Sequence, residues 1–560
     1  MKSSCLIFFI YILFFHEIKG QSLPVGFPVL EEYLRRNQLI DFSNSNSSFQ
    51  LRPLQFENNY PWIDSTIVRN RKSDFSLKIL PVLSTTQFNS KRPYGWGDFG
   101  MIPNVGLQQY LTGGVFAKWR FLKLQFQPEF VLASNKPWSG FPLGFSESVN
   151  QARYLYWNNG DYPERYGNDG YSKFWWGQSK LSVEFGAFEI GAATQNIGWG
   201  PGQFNSLIFS NNPQGFAHLT FNTIKPAKTF LGNFEGQLLS GRIDDSGIQP
   251  SQHPELNDAY FAPFSGDWKY VNGLAITYNP KWVPGLFLGF NRTFQVYREK
   301  MGNTFLAYFP VFSGVTKERF FEGGNSVDFD EDGADQQISV TFRFVIPKSK
   351  FEFYGEFGRR DHALNWREFI LNPEHARAYL MGFKKLVSMN KPNRFFQVRA
   401  EMTHQQESVN RYIRYPGEFG GLTWHTHTPS RAFANFGQAL GVGIGVGSNV
   451  QTFEFAVVEN FNKYGILFER LENHQDFYYR AGFNNIERKP WIDLSIGFLF
   501  DKQWNSILLR SKLQLINGKN YQWQLDEKSI PEFPEGKDLF SIHSQVSLIY
   551  FFNKAQLSND

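Results

Sequence analysis

"WIDLSIGFLF" (residues 491–500) alternates with a period of two. Ile492, Leu494, Ile496, Phe498 and Phe500 fall on one side of an extended strand, while Asp493, Ser495 and Gly497 fall on the other. The pattern recurs. In "FEFYGEF" (351–357) Phe351, Phe353 and Phe357 oppose Glu352, Tyr354 and Glu356, and in "SILLRSKLQL" (506–515) Ile507, Leu509, Leu513 and Leu515 oppose Arg510, Lys512 and Gln514. A soluble sandwich also alternates, but its outer face meets water and rarely needs this many rings. Segments of about ten residues with one apolar and one charged face, joined by short turns such as "FDKQWN" (500–505) and by longer polar loops, predict an outer-membrane β-barrel. Lipid tolerates no unpaired backbone polar group, and a closed barrel pairs them all.

Composition agrees with this reading. Aromatic residues make 18% of the 560, with 61 Phe, 24 Tyr and 15 Trp, yet the mean hydropathy is only −0.37. A chain rich in rings but polar on average must interleave the two kinds of residue, and no stretch beyond residue 20 has the apolar length of a transmembrane helix. The 56 Lys and Arg are balanced by 51 Asp and Glu without a basic block, so nucleic acid is not an expected partner. "LFSIHSQVSLIYFF" (539–552) reads as the last barrel strand, with Phe540, Ile542, Val546, Leu548, Tyr550 and Phe552 on one face, and residues 553–560 form a tail.

At the other end, Lys2 precedes the apolar run from Cys5 to Phe15, and Gly20 offers a small residue for cleavage, so residues 1–20 read as a secretory signal peptide. Its removal takes the only cysteine with it, which excludes disulfides and thiolate chemistry from the mature chain. "FPVLEEYLRRNQLI" (27–40) predicts a short helix. Pro28 suits a first turn, Val29, Leu30, Tyr33, Leu34 and Ile40 share a face, and Glu31 and Glu32 precede Arg35 and Arg36 as the helix dipole prefers. "DFSNSNSSF" (41–49) breaks it. Residues 21–72 are therefore expected to be a small periplasmic helical segment and linker ahead of a barrel over 73–552.

Several stretches carry a resemblance to a known family. They are "PVLEEYLRRNQLI" (28–40), "YGWGDFGMIPNVGLQQYLTGGVFAKW" (94–119), "LQFQPEF" (124–130), "PERYGNDGYSKFWWGQSKL" (163–181), "QNIGWGPGQFNSLIFSNNPQGFAHLTFNT" (195–223), "FEFYGEFGRRDHALNWREFILNPEHARAYLMGF" (351–383) and the final strand. In this order they span most of the mature chain, and together they resemble the Wzi-like outer-membrane capsule-assembly proteins. The resemblance implies an all-β, antiparallel transmembrane barrel of about 18 strands with a small helical periplasmic part, acting at the cell surface in capsule retention. The implied partners are capsular or extracellular polysaccharide, outer-membrane lipids and the barrel-assembly machinery. The family brings no fixed catalytic set, so no catalytic residue is assigned.

The loop around Trp199 suits a sugar ligand. Pyranose rings present C–H faces that stack on aromatic rings, and amides pair with sugar hydroxyls. Trp199, set between Gly198 and Gly200, with Asn196, Gln203 and Asn205, is the first candidate polysaccharide site, and Trp175 and Trp176 of "FWWGQ" are the second. The alternative places these rings in the interfacial girdles common to such barrels. Glu352, Glu356, Arg359, Asp361, His362, Arg367 and Glu374 follow one strand and read as a lumen charge network, which either holds a plug or binds a ligand. A His and Asp pair among carboxylates could serve hydrolysis, but no nucleophile elbow or zinc-protease helix accompanies it. Asp328, Asp330 and Asp332 have calcium-loop spacing before Gly333. Position twelve is Ser339 instead of Glu, so an acidic solvated loop is the first reading and Ca2+ the second, with no other cofactor expected. His425 and His427 of "WHTHT" form a two-ligand pattern without a third and read as a surface pair. The function that follows is polysaccharide binding in capsule or exopolysaccharide attachment. An oligosaccharide channel and a barrel-embedded hydrolase are its rivals.

Overall fold

The computed structural model describes residues 21–42, 47–55, 66–70, 74–264, 266–316, 321–322, 325–326, 333–362, 366–371, 373–408, 423–486 and 488–552. The expected signal peptide and C-terminal tail lie outside these residues. One sheet of 24 strand segments dominates. Some segments are collinear halves of a longer strand: Phe75–Ile79 continues into Val82–Asn89 past Pro81, and Gly106–Thr112 into Val115–Trp119 past Gly113 and Gly114. Antiparallel pairing runs from neighbour to neighbour along the chain to Leu539–Tyr550, which pairs back onto Val82–Asn89 with His543 opposite Asn89 and Tyr550 opposite Val82. The last strand thus pairs back onto an early one, the kind of pairing that spares a sheet the open edge lipid cannot satisfy.

The alternation is inverted relative to a water-soluble protein. In Ile492–Trp504, Leu494, Phe498 and Phe500 are exposed, whereas Asp493, Ser495 and Asp501 are buried. Phe353, Phe357, Leu513, Phe540, Leu548 and Tyr550 likewise point out. Rings outside and carboxylates inside are the arrangement of a barrel spanning an outer membrane. Tight turns link strands at one end, as between Asn449–Glu459 and Asn462–Glu472 or between Ile492–Trp504 and Ile507–Lys519. Asn460 and Asn505 take the positive φ that such turns require, 51° and 46°. Long excursions occupy the opposite end.

The predicted helix forms over Leu30–Ile40. It does not stand apart from the barrel as a periplasmic element; it is seated in the lumen at the short-turn end. Leu39 is fully buried against Phe287, Val345, Leu386, Phe395, Ala456 and Val458 of the inner wall. Its polar face explains the placement, because Arg35, Arg36 and Gln38 are buried there and find partners that water would otherwise supply. Leu51–Arg52 then pairs with Gly198–Trp199 of a loop that crosses the lumen. Thr66–Asn70 already joins the wall by pairing with Phe75–Ile79, so the sheet begins before the expected boundary at residue 73. At the long-loop end the helices Glu147–Gly160, Pro254–Tyr260 and Gln475–Arg480 converge on an aromatic cluster that includes Phe141, Trp157, Phe477 and Trp523.

Candidate functional site

The loop of residues 194–217 leaves the wall after Phe188–Ala193 and rejoins it at His218–Thr223. Trp199 on this loop has no exposed surface. Its Nε1 donates to Gln237 Oε1 at 2.8 Å, and its ring meets Phe209 edge-on at 4.8 Å. Glycines make the fit possible: a Cβ on Gly273 would come within 2.7 Å of the indole, and one on Gly200, at φ +101°, within 2.4 Å of the Glu356 carboxylate. Asn196 is also buried, accepting from Gln178 Nε2 at 2.6 Å and donating to Pro213 O at 2.8 Å. A ring and an amide engaged in this way pack the plug and present no face to a sugar, so the expected site at Trp199 and Asn196 is corrected to a structural one. Trp175 packs inward with Tyr110 and Val131. Trp176 is exposed on the outer face beside Phe126.

Gln203 and Asn205 differ, because they line a lumenal cavity of about 130 Å³ together with Arg35, Arg52, Trp96 and Arg399. The backbone N–H groups of Gln203 and Asn205 donate to Glu401 at 2.6 and 2.8 Å. Trp96 Nε1 donates to Asn205 Oδ1 at 2.9 Å, and Arg52 Nη2 donates to Gly200 O and Ser206 Oγ. Ring, amide and cation therefore coexist, but in a space smaller than an ordinary ligand pocket of about 300 Å³ or more.

The expected charge network divides. Glu352 lies at its centre, accepting from Arg35 Nε at 2.9 Å and Arg343 Nε at 2.6 Å, while Arg343 also donates to Gln38 Oε1 at 2.7 Å. Glu356 accepts from Ser339 Oγ at 2.7 Å. Beyond the strand the residues scatter. Arg359 faces outward, donating to Phe369 O at 3.1 Å, while its neighbour Arg360 turns inward to Asp335 at 2.6 Å. Asp361 pairs with His375 Nε2 at 2.8 Å, His362 Nε2 lies 3.2 Å from Gly314 O, and Glu374 is exposed and accepts from Ser408. Arg367 sits on the helix Trp366–Leu371. A strand's alternation organises side chains only as far as the strand runs, and this one ends at Arg360.

Most of the network comes from residues that no single stretch reveals. Glu32 of the lumenal helix meets Lys463 Nζ at 2.7 Å and both Arg399 Nη2 and Arg36 Nη1 at 3.4 Å, and accepts from Gln397 Nε2 at 2.9 Å. Glu454 and Asp501 complete the set, 3.5 and 3.6 Å from Lys463. Burial alone would push the Glu32 carboxyl up, but Arg399, Lys463, Arg36 and Lys384 hold it well below the usual carboxylate range.

His425 and His427 are buried instead of lying on the surface. His425 Nε2 bonds Gln405 Oε1 at 2.8 Å and Nδ1 bonds the Tyr162 hydroxyl at 3.1 Å; burial, aided by Arg360, lowers its imidazole to about 3 and keeps it neutral. His427 Nδ1 accepts from Ser430 N at 3.2 Å. Asp328, Asp330 and Asp332 lie outside the described residues, among which no group of three or more His, Cys, Asp or Glu is placed to hold a metal.

Sequence reading missed the cap at the long-loop end. Its signal was present: Ser146 precedes Glu147, the buried Val149, Ala152, Arg153, Tyr156 and Trp157 recur at helical spacing, and Asp161 ends the helix in the left-handed conformation. The Arg153 guanidinium lies 4.0 Å over the Trp157 ring. On the same side, Trp138, Tyr260 and Phe261 are half-buried and Tyr479 is exposed, and Asn158 Nδ2 donates to Tyr260 O at 3.1 Å.

Comparison with known proteins supplies the family. The chain aligns over 95% of its length with all of the structure of Wzi from Escherichia coli, an outer-membrane protein involved in group 1 capsule assembly and described as a carbohydrate-binding β-barrel, at 12% identity and a TM-score of 0.57. OccAB1 and OccAB2 of Acinetobacter baumannii align over 87% and 84% of this chain and 98% and 97% of their own, at 7% and 10% identity and TM-scores of 0.40 and 0.37. No curated protein sequence matches. Residues 116–506 match the family model of the capsule assembly protein Wzi, and the chain belongs to that family.

Proposed function

We propose that this outer-membrane barrel binds capsular or extracellular polysaccharide at its long-loop, cell-surface end and so takes part in assembling or holding the capsule. The observation that carries the reading is the packed lumen. Trp199, Leu207, Phe209, Trp424, Phe433 and Leu440 are buried together across the barrel interior, with the helix Leu30–Ile40 below them and the aromatic cap above. A lumen filled in this way favours binding on the outside over passage of oligosaccharide. The half-buried Trp138, Tyr260 and Phe261 and the exposed Tyr479 of the cap offer aromatic faces on which the C–H face of a glycan ring can stack. A binding role is favoured over catalysis because Glu352, Glu356 and Glu401 are each engaged in fixed hydrogen bonds of the plug. Joining the collinear strand segments supports the expected barrel of about eighteen strands. The lipid-facing belt makes outer-membrane lipids a further partner and delivery by the barrel-assembly machinery the expected route.

Cells lacking the protein are expected to make their polysaccharide but release more of it into the medium. Trp138→Ala combined with Tyr479→Ala should reproduce part of that loss without lowering the amount of barrel. One ring contact contributes about 1 kcal/mol, and repetition along a polymer multiplies it. If deletion instead stops polysaccharide production, or blocks uptake of a sugar while the surface layer stays intact, the attachment role is wrong.

A further inference from the structure

Parts of two long loops, residues 305–314 and 366–371, fold back over the outside of the wall. On strands Lys269–Pro280, Leu286–Tyr297, Asp335–Ile346 and Phe351–Arg360, the residues Ile276, Phe290, Val340 and Phe357 stand side by side in register and are all exposed, as a lipid-facing row should be. Two residues nearer the long-loop end, the next outward row is Leu274, Arg292, Ile338 and Arg359, and above it stand Asn272, Phe294 and Gln336. Two arginines on the outer face, one row above the apolar belt, would meet the membrane directly. Yet Arg292 and Arg359 are buried, as are Asn272 and Gln336.

Their cover is specific. Arg292 donates to the backbone carbonyls of Val311, Ser313 and Gly314 at 3.1, 2.6 and 2.6 Å and to Gln336 Oε1 at 2.7 Å, and Val311 N reaches Asn272 Oδ1 at 3.4 Å. Arg359 lies under Phe369, its guanidinium carbon 5.0 Å from the ring centre. His362 joins the two loops, with Nε2 3.2 Å from Gly314 O and its ring edge-on to Phe294 at 5.7 Å. The backbone carbonyls of Val311, Ser313 and Gly314 turn to the wall, while the apolar Phe305, Leu306, Phe312, Trp366, Ile370 and Leu371 turn out and are 48 to 69% exposed.

We propose that these loops form an external flap that inserts its aromatic and aliphatic face into the outer leaflet, at the boundary between acyl chains and head groups. Continuity identifies lipid as the occupant. The flap begins one row above Phe290, Val340 and Phe357, a step of about 7 Å along a strand, and extends the same apolar surface over positions where the wall itself carries cations. Rings at that depth are where membrane proteins place them.

The test uses the full-length chain with Cys5→Ser and a single new cysteine at Phe305→Cys or Ile370→Cys, carrying an environment-sensitive fluorophore, in phospholipid vesicles. Lys528→Cys in the exposed loop between Ile507–Lys519 and Leu539–Tyr550 serves as the control. Labels at 305 and 370 should emit to the blue of the control and be quenched several-fold more by lipid-borne nitroxide than by aqueous iodide, with the order reversed at 528. Iodide quenching at 305 and 370 equal to that at 528 overturns the proposal. So does quenching that appears only at high protein-to-lipid ratio, which would assign the face to a second copy. Heat-dependent gel migration confirms that each variant is folded, and Phe312→Cys or Leu371→Cys samples the same face should one fail.

Discussion

Glu32→Gln should release the lumenal helix while leaving the wall intact. The buried cluster sets Glu32, Glu454 and Asp501 against Arg36, Arg399 and Lys463, and only Glu32 and Arg36 belong to the helix. Neutralising Glu32 leaves an uncompensated positive charge in a largely buried site. Removing one partner of a buried ion pair costs about 3–5 kcal/mol, and because Glu454 still serves Arg399 and Lys463 the lower end applies. About 3 kcal/mol is a shift of roughly a hundredfold in the ratio of docked to undocked helix. Two assays in vesicles should record it. Protease added on the short-turn side should cut within residues 21–42 faster than in the parent, and single-barrel conductance should rise, while heat-dependent gel migration stays unchanged. The pH dependence has a definite sign. Because the docked Glu32 carboxyl sits well below its ordinary value of 4.5, its contribution is fully present above that pH and is lost as pH falls through the depressed value. The parent should therefore stay sealed at pH 7 and pH 5 and open only in stronger acid, whereas the variant should show no such step. Equal protease protection and equal conductance in parent and variant would refute the assignment of Glu32 as the latch.

Asp476, on a helix of the cap, has its carboxyl raised to about 8 by burial and by Glu407, so the native state holds a proton that the unfolded chain gives up near pH 4. The cap should lose stability as pH rises from about 4 to 8, and Asp476→Asn should abolish that slope in a Tm profile; an unchanged slope removes the explanation. Trp199→Ala should cost about 3–5 kcal/mol in unfolding by urea or heat, from the cavity and the stranded Gln237 amide, and should lower polysaccharide retention only in proportion to barrel abundance. Reduced retention per barrel at unchanged stability would return the ring to the sugar site. An acidic solvated loop at Asp328, Asp330 and Asp332 predicts that millimolar calcium leaves Tm unchanged, and a rise that is lost on triple substitution to Asn would instead establish a calcium site.

The barrel was legible because its signal is local. Leu494, Phe498 and Phe500 against Asp493, Ser495 and Asp501 reads the same in the string and in the wall, since a strand's two faces are fixed by parity alone. The helix Leu30–Ile40 was legible for a similar reason, but its seat was not: nothing in fourteen residues says that Arg36 and Glu32 will meet Arg399, Lys463 and Glu454. Trp199 misled for a physical reason. Glycines flanking a ring suit an exposed loop and a tightly packed one equally well, and only the approach of Glu356 and Gly273 from other strands separates the two. Arg359 does not join Glu352 and Glu356 in the lumen, because residues an odd number apart on one strand point in opposite directions.

The seat of the helix also fixes an order of events. Glu32 precedes Lys463 by 431 residues and Arg35 precedes Glu352 by 317, so the segment emerges long before the residues that will hold it. Contacts of such separation form only after the intervening chain has been organised. In time-resolved refolding the wall should therefore become heat-modifiable before residues 21–42 gain protection from protease. The part of the chain made first is thus the part set last.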